Sequence, residues 1–78
     1  MSVSAYILIQ TEVAKAAEVA DKVAEIQGVE AAEAVTGPYD VIVQAAAGDV
    51  DELGRLVVSE IQAIPGITRT LTCQIVHL

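Results

Sequence analysis

The sequence has few of the residue types that proteins use to bind nucleic acids. It contains no Phe and no Trp, so it offers no aromatic platforms on which bases could stack. Lys and Arg together number 4 against 11 Asp and Glu, and the net charge of −7 would repel a phosphate backbone. We therefore expect no direct contact with nucleic acid.

Cysteine and histidine each occur once, at Cys73 and His77. A single Cys cannot form an intrachain disulfide, and a metal site or a general base usually requires several neighbouring side chains. On a regular strand, these two residues would stand on one face but roughly 13 Å apart. We expect no metal ion, no cofactor and no catalytic residue, and we interpret Cys73 as a small buried hydrophobe.

Long apolar runs are also missing, since none approaches the ~20 residues of a membrane-spanning helix. No charged, apolar and small-residue succession typical of a signal peptide opens the chain, so we expect a cytoplasmic protein without a membrane segment. The 78 residues predict one domain spanning residues 1–78. With Gly counted and Tyr left out, 45 of the 78 residues are apolar, which is above the ~45–50% of an ordinary domain on the same count and favours a homodimer that buries the surplus.

An internal repeat organises the chain. Ile26-Gln27-Gly28-Val29 recurs as Ile64-Pro65-Gly66-Ile67, and each copy follows a helical pattern and precedes strand-like alternation. The spacing predicts a first helix over residues 13–27 with Thr11 as its N-cap, and a second over residues 50–64 capped by Asp49. Strands are expected at Val3–Gln10, Val29–Thr36, Asp40–Ala46 and Ile67–Val76.

This β-α-β-β-α-β order predicts an α+β, ferredoxin-like fold. Right-handed crossovers give an antiparallel sheet with strand order 4-1-3-2 and both helices on one face. The first strand is apolar on both sides, because Ile7 and Ile9 alternate with Tyr6 and Leu8. We therefore expect a second copy to cover the other face of the sheet, with the tail over residues 74–78 reaching across to it.

Two polar clusters are candidate binding residues. In the stretch VTGPYDVIV, Gly37 and Pro38 suffice for a turn, so Tyr39 and Asp40 either contact a ligand or complete the turn structurally. Thr70 and Thr72 share one face of the last strand, where they could meet a ligand or occupy an exposed β surface. Two other residues are expected to have structural roles. Arg69, on the opposite face of the last strand, would form a surface salt bridge. Gly54 would allow the second helix to pack closely on the sheet or on a neighbouring subunit.

Three segments together resemble a known family: TGPYD in the central hairpin, DELGRLV opening the second helix, and IPGITRTLTCQIV in the last strand. From Ala5 to Val76 the chain is similar to the C-terminal effector-binding domain, or RAM domain, of Lrp/AsnC-family transcription regulators. The resemblance implies a dimeric α+β sandwich or barrel, with dimers assembled into an octamer or another ring. It also implies a small amino acid bound in a cleft between dimers. The regulators' helix-turn-helix domain has no counterpart in this sequence.

The resemblance also assigns candidate residues, because Gly37, Tyr39 and Asp40 match the family's hairpin motif, and Thr70 and Thr72 match its Thr-x-Thr. It predicts a non-catalytic, oligomeric effector-binding module that acts in transcription regulation, with full-length regulators of the same family as possible partners. Two alternatives remain open. One is a small dimeric α+β barrel enzyme, such as a monooxygenase or isomerase, and the other is a purely structural association domain.

Overall fold

The computed structural model describes residues 2–78 and has the predicted topology. Its four-stranded antiparallel sheet has the order β2-β3-β1-β4, which confirms the predicted arrangement. The elements are β1 (Val3–Thr11), α1 (Ala16–Ala24), β2 (Val29–Ala34), β3 (Val41–Ala47), α2 (Val50–Arg55), a π-helical turn that continues α2 (Leu56–Ile61), and β4 (Ile67–Gln74).

The first helix begins later than the sequence predicts. Thr11 is the last residue of β1, and the residue preceding α1 is Lys15, whose side chain makes no capping hydrogen bond. A loop replaces the expected first turn because Ala14 adopts a left-handed backbone, with φ of 66°, which leaves Val13 95% exposed. The prediction of Thr11 as N-cap was therefore wrong, since a residue in the left-handed region interrupts a right-handed helix.

Two ion pairs occur at the solvated outer face of α1. Glu18 lies 3.6 Å from Lys22, four residues later in the helix, and 3.5 Å from Lys15, which precedes it. These two ammonium groups, Lys15 first, hold the pKa of the Glu18 carboxyl below its ordinary value. All three side chains are about half exposed, so this face of the helix is solvated.

The second helix begins as predicted but changes its geometry halfway. The Asp49 carboxylate accepts from the amide of Glu52 at 2.7 Å, and the Glu52 carboxylate accepts in return from the amide of Gly48 at 3.0 Å. These reciprocal bonds satisfy amides that a helix start leaves unpaired. After Arg55 the chain widens into the π-helical turn, and the amide of Gln62 donates to Val57, five residues back, at 2.9 Å.

Two equivalent glycines confirm the internal repeat. Gly28 and Gly66 both have φ of +99°, a conformation that side-chain-bearing residues rarely adopt. A Cβ on Gly28 would come within 3.1 Å of the carbonyl oxygen of Ala46. Gly54 behaves differently, because a Cβ there would meet no atom within 4 Å. The expected packing of Gly54 on the sheet was therefore wrong, and a contact with a neighbouring subunit remains a prediction.

The sheet has one covered and one uncovered face. Against the helices lie fully buried side chains of the two central strands, among them Ile7, Ile9, Val41 and Val43, together with Val19, Val23 and Ile61 of the helical layer. The other side of the sheet, which we call the open face, carries no helix. By strand register the open face consists of Ser4, Tyr6, Leu8, Gln10, Ala31, Glu33, Ile42, Gln44, Ala46, Arg69, Leu71 and Cys73.

Apolar side chains on the open face remain accessible. Tyr6 is 44% exposed, Leu71 43% and Ile42 37%. Cys73 lies beside Tyr6 and is also exposed, so its interpretation as a buried hydrophobe was wrong. Its position on an edge strand explains the difference, because only a covering partner would bury it there.

Candidate functional site

The hairpin between β2 and β3 holds three of the predicted site residues. Gly37 has φ of +141° and lies at an exposed tip where a Cβ would meet no atom within 4 Å. Tyr39 and Asp40 follow it and are half-buried. The hairpin is fastened to β1, because the side-chain amide of Gln10 donates to the carbonyl of Pro38 at 3.1 Å.

Asp40 has a defined structural role in this hairpin. Its carboxylate Oδ2 accepts from the backbone amide of Thr11 at 2.8 Å. Its own amide donates to Ile9, and its carbonyl accepts from Val35, each at 2.8 Å. Asp40 therefore ties the hairpin to the end of β1, whereas its Oδ1 makes no hydrogen bond within residues 2–78 and remains an available acceptor.

The two predicted threonines lie on the helix-covered side of β4. Thr70 pairs with Ile9 and Thr72 with Ile7, so both side chains share the face of the buried core, as their spacing predicts. Thr70 is half-buried and Thr72 is exposed at the sheet edge. The Thr70 hydroxyl accepts from the side-chain amide of Gln62 at 2.8 Å.

Gln62 is a candidate residue that the sequence does not predict. It directly follows the π-helical turn, whose extra residue per turn rotates the end of the helix relative to an α-helical continuation. The spacing of apolar residues does not reveal a π-helical turn, so the sequence does not predict the hydrogen bond between Gln62 and Thr70. The one feature of the sequence that could have drawn attention to Gln62 is that it is polar and lies two positions before the half-buried Ile64.

A small hollow surrounds this polar pair at the β4 edge. It has a volume of about 310 Å³ and is lined by Gln62 and residues 67–70. The strand register places Arg69 on the open face. Arg69 nevertheless also lines the hollow, because β4 lies at the edge of the sheet. The expectation that Arg69 forms a salt bridge is not met within residues 2–78, where both ion pairs involve Glu18 of α1.

The hairpin and the hollow lie near the same end of the sheet but do not meet. Ile9 of β1 stands between them, since it pairs with Val41 on one side and Thr70 on the other. Two strand spacings, or roughly 10 Å, therefore separate the backbone of Val41, next to Asp40, from that of Thr70. One subunit alone does not bring the two predicted clusters together around a small ligand.

A second, larger depression lies between the helices, away from all five predicted site residues. This groove has a volume of about 1060 Å³ and is lined in part by Lys22, Glu25, Glu52, Arg55 and Glu60. Its charges are mixed, and Lys22 and Glu52 are already engaged with Glu18 and Gly48. The groove therefore presents no concentrated charge of one sign.

Two further observations concern residues 2–78 as a whole. Within this range, no group of three or more His, Cys, Asp or Glu side chains is arranged to hold a metal ion. No helix in the same range is long and apolar enough to cross a membrane.

Comparisons with known proteins identify the family. The model of the Lrp/AsnC ligand binding domain matches residues 4–77. An uncharacterised HTH-type transcriptional regulator of Pyrococcus horikoshii, PH1916, is 34% identical over 55 residues, which cover 70% of this chain and 37% of that protein. The chain thus matches little more than a third of this relative.

Solved structures agree with this assignment. TTHA0845 from Thermus thermophilus has a TM-score of 0.91 at 29% identity, over 97% of this chain and 95% of that chain. The transcriptional regulator NMB0573 from Neisseria meningitidis, solved as a complex with L-Met, has a TM-score of 0.84 at 22% identity. That match covers 96% of this chain and 50% of the regulator, and it shows a shared fold. With the family model matching almost the whole chain, the protein belongs to the Lrp/AsnC ligand binding domain family.

Proposed function

We propose that this protein is a non-catalytic effector-binding module that takes a small amino acid between subunits of a homo-oligomer. The observation that carries the proposal is the hydrogen bond from exposed Gln62 to half-buried Thr70 beside a hollow of about 310 Å³. This volume is at the lower end of the ~300–1,000 Å³ range of ligand pockets and suits a ligand of amino-acid size. The Neisseria regulator with this fold was solved with L-Met.

The available polar groups match the chemistry of an amino acid. Its ammonium requires acceptors, and its carboxylate requires donors. Gln62 uses its Nε2 to reach Thr70, which leaves its Oε1 as an acceptor, and the exposed Thr72 hydroxyl can donate or accept. The unoccupied Oδ1 of Asp40 supplies a charged acceptor on the hairpin.

The distance between the hairpin and the hollow favours a site that two copies share. Within one subunit β1 separates Asp40 from Thr70, so a ligand in the hollow requires its second wall from elsewhere. The projecting tip around Gly37 has free space on the side where a Cβ would stand, and it can approach another subunit closely. We therefore place the ligand between the β4 edge of one dimer and the Gly37–Asp40 hairpin of the next, in an octamer or another ring.

The dimer itself would form through the open face. Tyr6, Ile42 and Leu71 leave an apolar surface on the central and edge strands, and two such sheets can pack face to face about 10 Å apart. Full-length regulators carry the same kind of domain, so we propose that the module also associates with them and modulates transcription in this way. We propose that it acts by binding rather than by catalysis.

Ligand binding is testable by thermal unfolding of the protein with each of the twenty amino acids at millimolar concentration. A ligand at a hundred times its dissociation constant stabilises the fold by about 2.7 kcal/mol per site, so a shift of roughly 10–20 °C is expected for a domain of this size. Gln62→Leu should reduce the shift. Gln27→Leu, the same change at an exposed residue after α1, is the matched control and should leave it unchanged.

Two outcomes would contradict the proposal. If no amino acid shifts the transition while the protein remains oligomeric, the structural alternative gains support, and the bond from Thr11 to Asp40 already gives this alternative a physical basis. If Gln27→Leu weakens ligand binding as much as Gln62→Leu does, the hollow at the β4 edge is not the site.

A further inference from the structure

The hollow at the β4 edge carries a single charge, and that charge is positive. Of the residues that line it, only Arg69 is charged. The chain as a whole has 11 acidic and 4 basic residues, so a lining without any carboxylate stands apart from its general composition. The Arg69 side chain is exposed and forms no ion pair within residues 2–78. The hollow therefore offers a charged donor that no carboxylate of the same subunit neutralises.

A β-bulge lies beside Arg69. Gln10 pairs with Arg69 and Thr11 with Ile67, so Thr68 is an extra residue of β4 that faces no residue of β1. A bulge bends its strand and changes the direction of neighbouring side chains. This distortion explains how Arg69 lines the hollow although its register points to the open face.

The first half of the internal repeat provides a comparison within the same chain. Glu30 follows Gly28-Val29 as Thr68 follows Gly66-Ile67. The pairing of β2 with β3 contains the same bulge, with Glu30 as the extra residue. The bulge is therefore a property of the repeated backbone and is not by itself a sign of a binding site.

The two halves differ in the side chains around the bulge. At the positions equivalent to the three polar residues of the hollow, the first half has only alanine. Ala24, Ala31 and Ala32 correspond to Gln62, Arg69 and Thr70. The end of α1 and β2 form with these alanines, so the repeated backbone does not require the polar side chains of the second half. Their role lies in the hollow itself.

Arg69 and Thr70 supply the donors that a carboxylate requires. A guanidinium presents parallel N–H groups that match the two oxygens of a carboxylate, and such charge-assisted bonds are roughly twice as strong as neutral ones. The Thr70 hydroxyl accepts from Nε2 of Gln62 at 2.8 Å, which leaves its own hydrogen free to donate. Both donors line the same hollow.

We propose that Arg69 binds the carboxylate of the ligand in the hollow, with Thr70 donating to the same group, so that the site selects small carboxylic acids by their anionic end. The inference rests on the amino-acid site of the proposed function and names the residue that recognises the carboxylate. It also orients the ligand, because the ammonium is left for the hairpin of the next dimer, where Asp40 has a free acceptor.

The test compares each amino acid with its α-amide, which keeps the side chain and the ammonium but lacks the anionic group. Isothermal titration calorimetry at low salt measures both affinities. An amino acid that binds the unaltered chain should bind at least about tenfold more tightly than its amide. The protein's net charge of −7 attracts the cationic amide, so long-range electrostatics oppose this preference and cannot produce it.

Arg69→Gln should weaken binding of the amino acid by about tenfold to a hundredfold and leave the amide almost unaffected, which brings the ratio of the two affinities close to one. Arg69→Lys keeps the charge but loses the paired donors, so its ratio should be intermediate. Arg55→Gln is the matched control. It makes the same change at the other arginine, which is exposed on α2, and should preserve both affinities.

Circular dichroism and size-exclusion chromatography check that each variant keeps its fold and its assembly. If Arg69→Gln does not fold, Arg69→Lys provides the same comparison. A reduced preference for the acid in the Arg69 variants, together with an unchanged preference in Arg55→Gln, supports the inference. A merely structural role of Arg69 would weaken binding of the acid and of the amide by the same factor.

The remaining results separate this inference from the proposed function. If amino acids bind and the Arg69 variants keep the preference for the acid, the inference is wrong while the amino-acid site stands. If amino acids do not bind but the corresponding 2-oxo acids do, and lose affinity in Arg69→Gln, the amino-acid proposal fails and the inference stands. If neither class binds, both fail. If Arg69→Gln dissociates the assembly without ligand, Arg69 serves subunit contacts and the inference is wrong.

Discussion

Replacement of Asp40 by Ala should destabilise the protein even in the absence of ligand. The carboxylate accepts from the half-buried amide of Thr11 at 2.8 Å, and Ala leaves that amide without its partner. An unsatisfied buried donor costs about 1–3 kcal/mol, and partial access of water to this position favours the lower half of that range. We expect a loss of about 1–2 kcal/mol, or roughly 4–15 °C in Tm for a domain of this size.

Asp40→Asn provides the informative comparison. The amide side chain keeps an acceptor for Thr11 but removes the negative charge, so it should retain at least half of the stability that Ala loses. Asp21→Ala is the control, because Asp21 is exposed on α1 and makes no hydrogen bond or ion pair within residues 2–78. It should change stability by no more than about 0.5 kcal/mol.

Urea unfolding at one fixed protein concentration measures these differences, since dimerisation makes apparent stability depend on concentration. If Asp40→Ala is as stable as the unaltered protein, the bond to Thr11 contributes nothing and the structural reasoning is wrong. If Asp40→Asn is stable but no longer responds to an amino acid, the charge on Asp40 serves the ligand. Asp40→Ala alone cannot separate the two roles, because it removes both.

Further expectations concern the helices, the core and the two glycine environments. Gly54→Ala should stabilise the fold by about 1 kcal/mol in urea unfolding, because its Cβ would meet no atom, and a weakened assembly would instead indicate a subunit contact there. Gly28→Ala is the opposite case and should destabilise it, owing to φ of +99° and the nearby carbonyl of Ala46. Asp49→Ala should cost about 1 kcal/mol through loss of the helix cap, an expectation that an unchanged urea midpoint would contradict. Ile7→Ala should cost about 2–5 kcal/mol by opening a cavity in the fully buried core, and a smaller loss would show that neighbouring side chains collapse into the space.

The sequence predicts the topology because its local patterns agree with one another. Alternating Val and Ile mark the strands, Asp49 marks a helix start, and the repeated Gly28 and Gly66 mark equivalent turns. The predictions fail where no local sequence pattern encodes the backbone conformation. Ala14 is a good helix former, yet it lies in a left-handed conformation before α1 because the chain must turn there, with the amide of Glu12 bonded to Gly66 across the fold.

The candidate site was predicted only in part for a similar reason. Gly37, Tyr39, Asp40, Thr70 and Thr72 can be found from the sequence, but their separation by β1 follows from strand order. The contribution of Gln62 depends on a π-helical turn that no periodicity signals. Cys73 was misjudged because its burial depends on a partner rather than on its own chain.

A site divided between copies would couple effector binding to assembly. If the β4 edge of one dimer and the Gly37–Asp40 hairpin of another both contact the ligand, the ligand binds the assembled state more tightly than separate dimers. It then shifts the equilibrium toward assembly by the ratio of those two affinities, and assembly raises ligand affinity by the same factor. The open face and the proposed ligand site lie on different sides of the sheet, so dimer formation and ring formation can respond to different residues. Tyr6, Ile42 and Leu71 of the open face would then govern pairing, while Gln62 and Thr70 would govern when the pairs assemble.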